Sequence, residues 1–137
     1  MQLSGGAFRL NRAGFTGGAI SSEALFDTFI VGTEFTENNA DGDGGCFSAN
    51  ATAQNTGADG LLFEDVSFED CVSFNGNGGA VALFDKVDGF ANFTRCTFNR
   101  NLAITSTSVG KGGAIFVDQV NAGTHTQCHR AYESFDY

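Results

Sequence analysis

Two short motifs follow one another in the same order four times along this chain, and that recurrence constrains the fold more than any other feature. The clearest copy runs from Cys96 to Val117: Phe98-Asn99-Arg100-Asn101-Leu102-Ala103, a polar insert, then Gly112-Gly113-Ala114-Ile115-Phe116-Val117. Earlier, Phe8-x-x-Asn11-x-Ala13 leads to Gly17-Gly18-Ala19-Ile20, and Phe35-x-x-Asn38-x-Ala40 leads to Gly44-Gly45-Cys46-Phe47. In the third copy Phe68-x-x-Cys71 leads to Gly78-Gly79-Ala80-Val81. The anchoring phenylalanines are 27, 33 and 30 residues apart. A period of roughly 30 with variable inserts marks a solenoid, in which each repeat is one coil that cannot bury its apolar face alone.

The residues before each Phe alternate: Phe29, Val31, Thr33 and Phe35; Leu62, Glu64, Val66 and Phe68; Asn92, Thr94, Cys96 and Phe98. Such alternation predicts strands with one face inward, the outer end of each run, as at Glu64 and Asn92, lying near solvent. After each glycine pair comes a second short strand, with Ile20, Phe47, Val81 and Ile115 in one slot. Like strands that recur once per coil must lie parallel and stack at about 4.8 Å per rung. The composition agrees, since nineteen glycines and fifteen phenylalanines with no proline suit short strands and tight turns better than long helices. The expected fold is an all-β, right-handed parallel β-helix of about four to five coils, right-handed by the usual sense of parallel crossovers. It covers residues 1–118, and a tail at 119–137 folds over the last coil as a cap. The glycine pairs permit positive φ and close backbone approach at a corner. The asparagines three after Phe can bond turn amides and the neighbouring coil.

The pairing of Phe-x-x-Asn with Gly-Gly-Ala-Ile resembles the repeat of the polymorphic outer membrane proteins, autotransporter-type surface proteins; similar repeats occur in large surface proteins of unicellular eukaryotes. The resemblance covers about residues 5–118, through Phe35-x-x-Asn38, Phe98-x-x-Asn101, Gly17 to Ile20 and Gly112 to Ile115. It departs at Cys71, which replaces the Asn, and at Gly44-Gly45-Cys46-Phe47. The resemblance implies a right-handed parallel β-helix of the pectin-lyase-like kind, associated with adhesion.

A net charge of −9 without any basic run argues against nucleic acid and anionic membranes as partners. No apolar stretch approaches the roughly 20 residues of a membrane helix. The first residues, Met1 to Gly6, lack the regions of a signal peptide, so the chain reads as a fragment, or a short product, of a larger repeat array.

Four cysteines allow three disulfide connectivities. Cys46, Cys71 and Cys96 occupy three different slots of the repeat, and a bridge needs Cα atoms within about 7 Å. The alignment therefore favours buried thiols over disulfides, and leaves the redox compartment open. His125, Cys128 and His129 have the residue types of a zinc site, but supply at most three ligands with no second cluster. Asn39, Asp41 and Asp43 resemble the start of a calcium loop, although the place of its bidentate Glu is held by Asn50. Coil alignment sets Glu37 over Asp70 and near Glu69, with Arg100 one coil further on. With Asp41 and Asp43 these acids form the candidate site for carbohydrate binding or cleavage, since paired carboxylates can act as general acid and base. The plainer reading of the same turn is a solvated acidic corner. Asn50-Ala51-Thr52 and Asn92-Phe93-Thr94 are N-glycosylation sequons, with Asn92 read as partly inward. Thr105-Ser106-Thr107 is too isolated to make an ice-binding ladder.

The function expected from these residues is a non-enzymatic structural and adhesive module, extracellular or at a cell surface. No cofactor is expected unless the acidic turn holds calcium. The loops Asn50 to Gly60 and Leu102 to Lys111 would meet a protein or glycan partner. The alternatives are a carbohydrate-binding or carbohydrate-cleaving β-helix, and a structural subunit whose coil ends stack on another chain.

Overall fold

The computed structural model describes residues 1–23, 28–50, 60–84, 91–105 and 111–118, together with the backbone of 90, 126–129 and 132–134. The first coil supplies β1 (Gln2–Ser4), β2 (Ala7–Arg9), β3 (Arg12–Ala13) and β4 (Ile20–Ser22). The second supplies β5 (Thr28–Val31), β6 (Glu34–Thr36), β7 (Asn39–Ala40) and β8 (Phe47–Asn50). The third supplies β9 (Gly60–Glu64), β10 (Ser67–Glu69), β11 (Val72–Ser73) and β12 (Val81–Phe84). The fourth supplies β13 (Phe90–Thr94), β14 (Thr97–Asn99), β15 (Leu102–Ala103) and β16 (Ile115–Val117). Two further strands, β17 (Thr126–His129) and β18 (Tyr132–Ser134), continue the first two sheets. The sheets run β1-β5-β9-β13-β17, β2-β6-β10-β14-β18, β3-β7-β11-β15 and β4-β8-β12-β16, every pair parallel. The molecule is a parallel β-solenoid, and β17 and β18 add rungs to its first two sheets.

The register is the one the repeat dictates. Phe8, Phe35, Phe68 and Phe98 are successive partners, as are Ile20, Phe47, Val81 and Ile115. Their rings stack at 5.2, 5.0 and 5.0 Å with planes within 9° of parallel, a spacing imposed by the rungs. Phe63 and Phe93 form a second stack at 4.8 Å, and each meets the first ladder edge-on. Ile30, Phe35, Phe47, Phe63 and Phe68 are wholly buried in one continuous core.

The alternation before each Phe differs from the expected one. The inward residues are Thr28, Ile30, Thr33 and Phe35, while Phe29 is 39% exposed. Phe63 and Phe93 likewise point inward in place of Leu62 and Asn92. The cause is a corner: Gly32, Asp65 and Arg95 occupy one column and all have left-handed φ, 59°, 53° and 51°. One residue spent on that turn shifts the pleat by one, and a strict period of two cannot run across it. A second corner column, Leu10, Glu37, Asp70 and Arg100, has φ between 50° and 58°.

The third corner explains the glycine pair. Gly17, Gly44, Gly78 and Gly112 have φ between 61° and 66°. Their partners do a different job. A Cβ on Gly45 would lie 2.5 Å from Val72 N and closer still to Gly79 O; one on Gly79 would lie 2.5 Å from Leu102 N and closer to Gly113 O. The second glycine thus lets one coil press its backbone against the next.

That close approach corrects the reading of the cysteines. Cys46 and Cys71 form a disulfide, with Cα atoms 5.5 Å apart. They occupy different slots, but Cys46 follows Gly45 and Cys71 precedes Val72, the two residues whose backbones touch across the coils. The slot argument compared only equivalent positions and missed this contact between a glycine corner and the start of the next coil's third strand. Cys96 is a buried thiol whose Sγ lies 3.5 Å from Phe63 O.

Candidate functional site

The recurring residues serve the coil itself. Asn38, wholly buried, accepts at Oδ1 from Asn11 N at 3.0 Å and Asn11 Nδ2 at 2.8 Å. Its Nδ2 donates to Phe8 O at 2.8 Å and approaches Cys46 Sγ at 3.3 Å. Asn101 repeats the pattern two coils on, accepting from Cys71 N at 3.0 Å and donating to Phe68 O at 3.0 Å. Each amide therefore ties its coil to the preceding one, where backbone groups at the corner lack a sheet partner. In the third coil Cys71 stands in the Asn slot, and the disulfide makes the link between coils there.

The predicted acidic surface is broken up by arginines. Arg100 Nε donates to Asp70 Oδ1 at 2.8 Å, and its Nη2 donates to Asp70 Oδ2 and Glu69 Oε1 at 2.7 Å each. Arg95 does the same to Asp65, at 2.6 and 2.7 Å, and also meets Glu64. Its hydrogen bonds hold the Asp65 carboxyl below the usual carboxylate range, and those acids raise both guanidinium pKa values. Arg9 pairs with Glu34 at 2.7 Å and Arg12 with Asp41 at 3.0 Å. The Arg95 set had a signal in the sequence, because Glu64-Asp65 and Arg95 are thirty residues apart and share a corner. These pairs are exposed, so solvent screening leaves each of them little net stabilisation.

Of the calcium candidates, Asn39 lies half-buried beside Glu37 O, Asp41 is turned to Arg12, and Asp43 Oδ1 accepts from Asn77 N at 2.7 Å and Asn77 Nδ2 at 3.2 Å. Among the described residues no three His, Cys, Asp or Glu side chains converge as a metal would need. His125 and the side chains of Cys128 and His129 lie outside the described residues, as do residues 51–59 and 106–110 of the two proposed contact loops. Asn92 faces outward, correcting the inward reading, and its Oδ1 accepts from Thr94 Oγ1 at 3.3 Å. Asn50 ends β8 half-buried, and its sequon partner Thr52 is outside the described residues.

A different site emerges on the outer side of the sheet β4-β8-β12-β16. A groove of about 340 Å³ is lined by Thr16, Ser21, Ser22, Glu23, Asp43, Ser48, Asn50, Phe84 and Asp118. Its logic is the pleat. Phe47, Ala49 and Leu83 point into the core, so Ser48, Asn50 and Phe84 point out. Glu23, Asn50, Phe84 and Asp118 each stand six residues after the first glycine of a pair, a column visible in the sequence but passed over because its chemistry changes from coil to coil. Ser48 is only 4% exposed, and Asn50 Oδ1 is buried with no hydrogen-bond partner. Phe84 leans on Phe116, ring centroids 5.5 Å apart.

The chain matches no family model, no curated protein and no solved structure. Among the described residues no helix is long and apolar enough to cross a membrane.

Proposed function

We propose that this chain is a non-enzymatic structural and adhesive module, displayed outside the cell or at its surface, and that it belongs with the polymorphic outer membrane protein type of repeat. The observation that carries this reading is the Cys46–Cys71 disulfide, built into the interior between two coils. Structural disulfides persist in oxidising compartments and are rare where thiols are kept reduced. The repeat residues support the same reading, because Phe, Asn and both glycines are spent on stacking rather than on a reaction centre. Rigid stacked coils would hold the loops out toward a protein or glycan.

Surface labelling of the source cells tests it. A membrane-impermeant amine reagent should label the protein on intact cells, and beads coated with the oxidised protein should adhere to those cells saturably. Labelling only after lysis, with Cys46 and Cys71 recovered as thiols, would sink the proposal.

A second reading, a subunit that stacks by its coil ends, is favoured by the first coil. Leu3, Phe8 and Ile20 are only half-buried, whereas their second-coil counterparts Ile30, Phe35 and Phe47 are wholly buried. Sedimentation over a range of concentrations checks it: mass that rises with concentration supports stacking, and a fixed monomer mass argues against it.

A further inference from the structure

We propose that Asn92 carries an N-linked glycan whose first sugars lie over Leu62 and Phe29. The inference rests on the extracellular reading above, and adds to it a modification and the route that installs it. Asn92-Phe93-Thr94 supplies what an N-glycosylation acceptor needs, an asparagine and a hydroxyl two residues on, with no proline between them. A chain rich in Asn and Thr contains such triplets by chance, and it is the fold around this one that sets it apart. Ala91 and Phe93 are buried in the core, so the pleat of β13 turns Asn92 and Thr94 outward together. Thr94 Oγ1 donates to Asn92 Oδ1 at 3.3 Å, which holds the two side chains against one another on that face. Asn92 Nδ2, the nitrogen through which a glycan is linked, has no hydrogen-bond partner among the described residues. Asn50, the other sequon asparagine, is set differently, with its amide oxygen buried.

The donor is an oligosaccharide carried on a lipid pyrophosphate, which the secretory pathway of the cell supplies together with its transferase. The bond from sugar C1 to the pyrophosphate oxygen breaks and a bond from C1 to Asn92 Nδ2 forms. Nδ2 gives up one proton, and the lipid pyrophosphate leaves. A mid-strand asparagine accepts the sugar while the chain is still extended, and its outward position lets the folded coil keep it. What the sugar then meets is set by the register. Asn92 pairs with Leu62 and Leu62 with Phe29, so the three stand in one column on the outer face of the first sheet. At about 4.8 Å per rung, Leu62 and Phe29 lie one and two rungs away, within the span of the first two sugar rings. Phe29 is 39% exposed, Leu62 is half-buried, and half-buried Val31 flanks them. An apolar strip left in water is unfavourable, and the C–H faces of pyranose rings can cover it. The sequon thus adjoins the apolar surface that its own glycan would shield.

The test begins with the protein taken from its source cells. Peptide N-glycosidase in heavy-oxygen water should release a glycan from most of the chains and leave the heavy label on the peptide at position 92. Label at Asn50 in place of Asn92, or no label at all, would overturn the assignment. Thr94→Ala should lose the glycan and Thr94→Ser keep it, and a glycan that survives Thr94→Ala would count against the sequon. Because transfer precedes folding, this result can be read even from a variant that folds poorly. Protons of the first two sugars should show nuclear Overhauser contacts to the Leu62 methyls and the Phe29 ring. The glycosylated chain should also unfold at higher urea than the same oxidised chain made without glycan, and replacing Phe29 and Leu62 by serine should remove that gain. A glycan with neither the contacts nor the gain would overturn the packing over the strip. Failure here is separable from failure of the adhesive reading: an unmodified Asn92 in a protein labelled on intact cells would remove the glycan and leave the surface module. A glycan on Asn92 of a protein never labelled on intact cells would do the reverse.

Discussion

Replacing Gly79 by alanine should damage this protein far more than replacing Gly113, although the two residues occupy the same slot of the repeat. At Gly79 the new methyl would lie 2.5 Å from Leu102 N and 2.7 Å from Leu102 C, and closer still to Gly113 O. All three are backbone atoms, which cannot swing aside. Ordinary carbon contacts sit at about 3.5–4.0 Å, so the fourth coil must lift by roughly 1 Å. That shift stretches the bonds from Gly78 N to Lys111 O, Gly79 N to Gly112 O, and Ala80 N and Val81 N to Ala114 O, now 2.9–3.1 Å, out of hydrogen-bonding range. At about 1 kcal/mol net for each of four bonds, the cost is about 4 kcal/mol. At Gly113 the same methyl meets, among the described residues, Asn101 O at 3.6 Å, an ordinary contact. Gly113→Ala should therefore be neutral, or stabilising by up to about 1 kcal/mol through the unfolded chain. Urea melts read by circular dichroism, with hydrogen exchange at Ala80 and Val81, measure the difference. If Gly79→Ala and Gly113→Ala unfold within 1 kcal/mol of each other, with no change in exchange at Ala80, the account of the second glycine is wrong.

The disulfide closes a loop with a sequence separation of 25, for which chain entropy gives about 3–4 kcal/mol of stabilisation. Reductant, or Cys46→Ala with Cys71→Ala, should lower the urea midpoint accordingly, and a midpoint insensitive to reductant would contradict the bridge. Asn38→Ala removes both bonds that Asn38 makes to Asn11 and the one to Phe8 O at a wholly buried site, and should cost about 2–4 kcal/mol, more than Asn99→Ala on the partly exposed outer face; equal losses would show that the ladder is dispensable. The Arg95–Asp65 pair should show in the acid limb of the stability profile. Because the folded Asp65 pKa is lowered, the pair's contribution is complete above the unfolded carboxylate value, about 3.9, and is lost as pH falls through the lower folded value. The midpoint gap between native protein and Arg95→Gln should thus be constant from neutral pH to about 5 and shrink below about 4; a gap that widens in acid has the wrong sign for this mechanism.

How much was legible follows from what repeats. The Phe spacing carried the parallel stack and its register, because a side chain that recurs once per coil must meet its own copy at the rung spacing. The glycine pairs announced a corner, and Glu69, Asp70 and Arg100 could be aligned in neighbouring coils before any coordinates were known. Contacts between unlike slots were beyond that reasoning. Whether Cys46 reaches Cys71 depends on how far the coil collapses at Gly45, a distance across the interior that no one-dimensional alignment contains. The left-handed turns at Gly32, Asp65 and Arg95 were hidden for a related reason: two of the three are not glycine, so nothing in composition marks the extra residue that moves Phe63 inward and Asn92 outward. The groove needed both kinds of information. The sequence sets Glu23, Asn50, Phe84 and Asp118 in one column, but only the packing of the coils recesses Ser48 and leaves Asn50 Oδ1 without a partner. Repetition along the chain fixes what stacks on what, while the collapse of each coil's interior and the hand of its corners decide which unlike residues meet.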